Sequence, residues 1–291
     1  MNAVNASVPC SPEKITPSVL ERLLPRPEDS HKGTFGTLTM LCGSPMMPGA
    51  AALAAYGALR SGVGLVRIAC PAEVRTVLQA RLAEPVWIQP ESCADGKSTA
   101  FLAGCGLGRS SDGLLRSLLP RITCPSVFDA DAIRFFVSDL PFLRSLGAPF
   151  ILTPHPGEFS ALTGLSAEEI RSSRERLASE FASSFRCTLV LKGHRTVVAL
   201  PDGRTFVNET GSSALAKGGS GDVLAGLIAS LLAQGQACAD AAMIGVYVHG
   251  LAGDLLEKKY GPRGVLPSDL PAVFGRILNH PKTTESEAEC L

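Results

Sequence analysis

Three of the four residues 218–221 are glycine, Ser220 is the other, and Asp222 follows directly before the apolar run 223–233. Glycines ahead of a helix let several backbone N–H groups point at one anion, and the helix N-terminus adds about half a positive charge. That suits a nucleotide phosphate, or the charge that develops while a phosphoryl group moves. Asp222 at the helix start is placed to take a proton from an attacking hydroxyl. A tight turn with Asp222 capping the helix would use the same residues; the density of glycine favours the chemical reading.

Other segments could share such a site. Lys192-Gly193-His194-Arg195-Thr196 lies between two expected strands. It could hold a phosphate through backbone and ammonium, or be a plain hairpin loop. In Thr153-Pro154-His155-Pro156-Gly157-Glu158 two prolines restrict the backbone around His155. That suits a ligand contact, or a turn opening a helix with Glu158 in its first turn. Gly104-Cys105-Gly106-Leu107-Gly108 lacks the Gly-x-Gly-x-x-Gly spacing of dinucleotide folds but allows close backbone approach. Asp129-Ala130-Asp131 ends another expected strand, where alternation would point both carboxylates to one side. One could reach Mg²⁺ through water, or both could serve a loop network. Pro48-Gly49-Ala50-Ala51 starts a helix small enough for a flat ligand or for close packing. No Gly-x-x-x-x-Gly-Lys-Ser/Thr, Gly-x-Ser-x-Gly or His-Glu-x-x-His occurs.

The elements that must position these residues alternate in period. Strands are expected at 37–41, 65–69, 86–88, 101–103, 127–129, 150–152, 188–191, 196–200 and 204–207. Helices are expected at 49–61, 72–80, 168–185, 222–233 and 240–258. Such alternation predicts an α/β fold: a mostly parallel central sheet with helices on both faces, its ligands beyond the carboxyl ends of the strands. Residues 1–30 read as an arm with a short helix, 31–279 as one domain and 280–291 as a polar tail.

Composition narrows the class. The 291 residues are 45% hydrophobic and 19% charged, with 27 basic and 27 acidic side chains. This excludes a disordered chain and gives no basic footprint for nucleic acid. One tryptophan and three tyrosines leave few stacking platforms. Nine widely spaced cysteines without a Cys-x-x-Cys indicate a reducing cytoplasm and no zinc framework. No signal peptide is read in residues 1–11, and the apolar stretch 227–256 is interrupted by Gln234, Gln236 and Asp240, as two buried helices would be.

Taken together, the glycine, His155, Asp129, Lys192 and Ala50 segments resemble the ADP/ATP-dependent NAD(P)H-hydrate dehydratases, a ribokinase-like branch. The resemblance covers roughly residues 32–256. It implies nucleotide-driven removal of water from the S epimer of hydrated NADH or NADPH, a repair reaction that passes through phosphorylation of the ring hydroxyl. By family pattern, Ala50, Gly106, His155 and Asp222 would contact the hydrated dinucleotide. Lys192, Gly193, His194, Arg195, Thr196 and Gly221 would hold ADP or ATP, with Mg²⁺ accompanying it and no direct metal ligand assigned. Asp222 would be the base, needing no unusual pKa. Cys42 and Cys105 stand where a Gly and a Pro are usual, and Lys217 where a Thr is. Too few residues precede the match for the epimerase domain often fused to this one, so a single activity is expected. The resemblance suggests a tetramer, with which the neutral charge is compatible. A kinase for a vitamin-precursor alcohol would share the glycine loop without needing the His155 and Ala50 segments in this form. A catalytically dead nucleotide sensor is disfavoured by the intact Asp222.

Overall fold

Side chains alternate across short, fully buried strands. In Ala100–Ala103, Leu102 joins the core on one face of the sheet, and Phe101 and Ala103 join the core on the other. The computed structural model describes residues 11–279; the expected tail 280–291 and the first ten residues of the arm lie outside them. Ten strands form one sheet: β1 (Glu13–Ile15), β2 (Thr37–Leu41), β3 (Leu65–Ala69), β4 (Val86–Ile88), β5 (Ala100–Ala103), β6 (Ser126–Phe128), β7 (Phe150–Leu152), β8 (Thr188–Leu191), β9 (Thr196–Ala199) and β10 (Thr205–Asn208). Their order is β1-β10-β9-β8-β7-β6-β5-β2-β3-β4. From β8 through β4 all neighbours are parallel, and β9 is antiparallel to both β8 and β10.

Helices cover both faces, as expected from the alternation. They are α1 (Pro48–Leu59), α2 (Ala72–Gln79), α3 (Asp112–Leu118), α4 (Ala130–Val137), α5 (Pro156–Thr163), α6 (Ala167–Ser172), α7 (Arg174–Phe185), α8 (Ser220–Ala233), α9 (Cys238–Tyr260) and α10 (Pro271–Asn279). Helices α1, α8, α9 and α10 share one core; α3, α4, α5 and α7 share the other. The apolar stretch 227–256 resolves into α8 and α9, and no described helix is long and apolar enough to cross a membrane.

Helices α1 and α8 touch through backbone. A Cβ on Gly226 would lie 1.9 Å from the Ala54 carbonyl oxygen, and one on Gly57 2.4 Å from that of Val223. The contact anchors the helix that carries Asp222. Gly226→Ala is therefore expected to cost at least about 1–3 kcal/mol by overpacking, read as a lower midpoint in denaturant. An unchanged midpoint would contradict this packing.

Several boundaries differ from the sequence expectation. The helix expected over 168–185 is two helices, broken at Ser173, whose φ of −144° is not helical. Serine side chains compete for backbone groups there, with the Ser172 hydroxyl donating to Glu169 O at 3.0 Å. Strand β6 stops at Phe128, and Asp129 precedes a helix that sequence reasoning missed. The arm supplies β1, parallel to β10. A three-residue strand gives too short a periodic signal to be read from sequence.

Candidate active site

The loops after β2, β5, β6, β7, β8 and β10 all leave one edge of the sheet, because these strands run the same way. At that edge lies a cavity of about 690 Å³. Its walls include His155, all five residues 192–196, Gly221 and Asp222. Asn208, Thr210, His249 and Gly250, which sequence reasoning did not single out, also line it.

Helix α8 starts at Ser220, two residues earlier than expected. Gly219, at φ 99°, sits in the left-handed region that turns the chain into the helix. Asp222 is thus in the first turn without capping it, since no side chain caps this helix. Its carboxyl points into crowded ground. Burial first, and the Asp129 charge second, push its pKa up to about 7, against the lowering effects of Cys105 and Lys192. The sequence expectation of an ordinary carboxylate is corrected here: desolvation makes Asp222 a base poised at neutral pH.

Lys192 lies beneath this loop. Its ammonium donates to Asp129 Oδ1 at 2.6 Å, and Asp129 also accepts the Thr153 hydroxyl at 2.7 Å. Burial works against the Lys192 charge, but Asp129 and Glu158 outweigh it and hold the pKa above its usual value. The ammonium is therefore engaged with a carboxylate rather than projected freely as a phosphate hook. A Cβ on Gly221 would come within 3.1 Å of that ammonium, a tight contact that the bare backbone avoids.

The expected common direction of the Asp129 and Asp131 carboxylates fails. Asp131 lies in α4, accepts from the Gly108 N–H at 2.8 Å and faces Arg134. Strand β6 ends at Phe128, so alternation reaches neither carboxylate.

His155 combines both of its sequence readings. Its ring caps α5: Nδ1 accepts from the N–H groups of Gly157 (3.0 Å) and Glu158 (3.2 Å). With Nδ1 accepting, the neutral ring carries its proton on Nε2, 3.5 Å from Glu158 Oε1. The ring remains 57% exposed at the cavity edge, fixed but accessible.

The loop 192–196 is a β8–β9 hairpin, with Gly193 at φ 143° and Arg195 at φ 58°. Arg174, which no motif marked, holds it by donating to the carbonyls of Leu191, Lys192 and His194 at 2.7–3.1 Å. Opposite, His249 Nε2 lies 3.0 Å from the Ser220 carbonyl, and burial lowers its pKa to about 4. It thus braces the start of α8 as a neutral ring. Lys217 is tied to the carbonyls of Arg263 and Val265.

Ala50 and Gly106 do not line this cavity. They meet each other instead: a Cβ on Gly106 would lie 2.7 Å from that of Ala50. Gly43 N–H donates to Cys105 O at 2.9 Å nearby, joining the loops after β2 and β5. Strand order reverses between β2 and β5, which is where parallel sheets open a crevice for ligands.

The NAD(P)H-hydrate dehydratase family model matches residues 38–274. A Neisseria meningitidis ADP-dependent (S)-NAD(P)H-hydrate dehydratase is 40% identical over 244 residues, covering 81% of this chain and 82% of that one. The crystal structure of the ADP/ATP-dependent NAD(P)H-hydrate dehydratase of Bacillus subtilis, co-crystallised with ATP and Mg²⁺, superposes with a TM-score of 0.85 at 33% identity, covering 94% of this chain and 99% of that one. A ribokinase-like superfamily protein from Enterococcus faecalis superposes at 0.83 with 28% identity, covering 94% and 97%. The chain spans about half the length of bifunctional NAD(P)H-hydrate repair enzymes that it also matches. The fold is ribokinase-like, and the chain belongs to the NAD(P)H-hydrate dehydratase family.

Proposed function

We propose that this chain uses ADP or ATP to dehydrate the S epimer of hydrated NADH or NADPH, restoring the reduced dinucleotide. The observation that carries the reading is Asp222, a carboxyl poised near neutral pH at the mouth of a glycine-lined helix N-terminus. Hydroxide is a poor leaving group and phosphate a good one. Asp222 takes the proton of the ring hydroxyl as its oxygen attacks the terminal phosphorus of the nucleotide. The bond from phosphorus to the bridging oxygen breaks, releasing AMP or ADP. Backbone N–H groups around Gly221 stabilise the equatorial oxygens, because positioning and electrostatics dominate phosphoryl transfer. The ring nitrogen lone pair then expels phosphate, and loss of the neighbouring ring proton restores the double bond.

In this reading the nucleotide lies along residues 192–196 and Gly221, the walls of the cavity. The hydrated ring reaches from Asp222 past His155 toward Ala50 and Gly106, whose small side chains flank the crevice. Arg174 and His249 keep the two anion-binding loops in register. The enzyme works in the cytoplasm as a tetramer, a proposal that rests on resemblance and is checked by solution mass.

Among the described residues Mg²⁺ has no built cage. The densest donor set, Cys105, Asp129 and Asp222, pairs a soft sulfur with a carboxylate already engaged by Lys192. A hard cation that prefers six oxygens does not match it.

Two measurements test this reading. Incubation with hydrated NADH should restore the absorbance of reduced nicotinamide with ADP or ATP; no recovery with either would overturn it. The turnover rate should climb as pH rises through about 7, because a protonated Asp222 cannot accept the hydroxyl proton. A profile flat from about pH 6 to 8 would remove Asp222 as the base.

A further inference from the structure

The buried side of the site holds a group that phosphoryl transfer does not use. Cys105 is fully buried behind the carboxylates that line the cavity. Its thiol meets Asp129 Oδ2 at 4.0 Å, whereas Oδ1 of the same carboxylate is taken by Lys192 and Thr153. The two oxygens thus serve different neighbours. One donor atom each from Cys105, Asp129 and Asp222 lies within 4.8 Å of the others. Cys42 is also fully buried.

We propose that Cys105 Sγ, Asp129 Oδ2 and an Asp222 carboxylate oxygen form a site for a thiophilic divalent cation of the zinc type. Thiolate and carboxylate together suit a borderline-soft ion, at about 2.3 Å to sulfur and 2.0–2.2 Å to oxygen. Ligand atoms in such a shell lie roughly 3.3–3.7 Å apart, so contraction by about an ångström closes the cluster. The donors come from three separate places: the turn after β5, the end of β6 and the first turn of α8. The ion enters from the cavity through Asp129 and Asp222 and reaches sulfur last.

Charge favours uptake. With Asp222 ionised, Asp129, Asp222 and Lys192 sum to one negative charge. Binding of the cation displaces the thiol proton to solvent, forms the sulfur–metal bond and brings the sum to zero. No oxidant or reductant is involved, and the proton release makes affinity rise with pH. Occupancy withdraws the Asp222 carboxylate from the ring hydroxyl and so silences turnover, a consequence that rests on the function proposed above.

The test titrates the purified chain with Co²⁺ and then Zn²⁺. We expect one equivalent of Co²⁺ with a thiolate-to-cobalt absorption band, lost on addition of Zn²⁺ and absent in Cys105→Ala. Cys105→Ser, which keeps the volume, serves if the alanine variant does not fold. Wild-type turnover should fall with Zn²⁺ and return with a chelator. The cysteine variant is read against its own zinc-free rate, because Cys105 also lowers the pKa of Asp222, and should need at least about tenfold more Zn²⁺ for the same fractional inhibition. No cobalt uptake, or a band that persists in both cysteine variants, overturns the site. Binding that depends on Cys105 but leaves turnover untouched upholds the site and overturns Asp222 as the base.

Discussion

Asp222→Asn is expected to lower the turnover rate by about 10²–10⁴-fold, the usual share of a positioned general base, while ADP affinity stays within a few-fold of wild type. The amide keeps the shape and removes the proton acceptor. The glycine backbone proposed to hold phosphate is unchanged, so binding and chemistry separate. A linked effect on stability has the opposite sign. The folded pKa of Asp222, about 7, lies above its usual value of 3.8, so the folded state holds a proton that the unfolded state has lost between those values. Stability is greatest with the carboxyl protonated and declines as pH rises through that window. Above about pH 7 the loss is of the order of 4 kcal/mol, and less where water relaxes the site. Asp222→Asn should therefore raise the thermal midpoint at alkaline pH and change it little at about pH 4, at the low end of that window. Equal turnover in variant and wild type would contradict the assignment of the base, and a lower midpoint at alkaline pH would contradict its buried, costly charge.

Lys192→Met carries the second large effect. Asp129 is 3% exposed at its side chain, and its Oδ1 rests on the Lys192 ammonium. Removing one partner of a buried pair leaves the other charge uncompensated, at about 3–5 kcal/mol. Glu158 and Asp222 share the same ammonium and would both become harder to ionise. The variant should lose stability by that amount in denaturant titration, and whatever activity survives should need a more alkaline pH. Wild-type stability with an unmoved pH profile would show that the ammonium serves the nucleotide alone.

Much of the site was legible in the sequence because backbone chemistry announces itself. The glycines before Asp222, the prolines around His155 and the Lys192-Gly193 turn each mark where the chain must bend at a strand end. The parallel sheet then gathers those ends. What stayed hidden depends on burial and pairing. Nothing in Asp129-Ala130-Asp131 says that one carboxylate meets a lysine 63 residues away and the other a glycine N–H. The pKa of Asp222 follows from neighbours that only folding supplies. Arg174 opens α7 and His249 sits inside α9, where a single polar residue carries no pattern. Ala50 and Gly106 meet each other at the strand reversal between β2 and β5, away from the cavity walls, a separation that only the sheet order sets.

The central claim is that the ring hydroxyl itself attacks phosphorus. Hydrated NADH carrying heavy oxygen in that hydroxyl follows the atom directly. After one turnover with ADP, the label is expected in inorganic phosphate, with none in water. Label found in water, with unlabelled phosphate from the nucleotide, would mean that water leaves without being phosphorylated, and the role given to Asp222 and its glycine-lined helix start would fall.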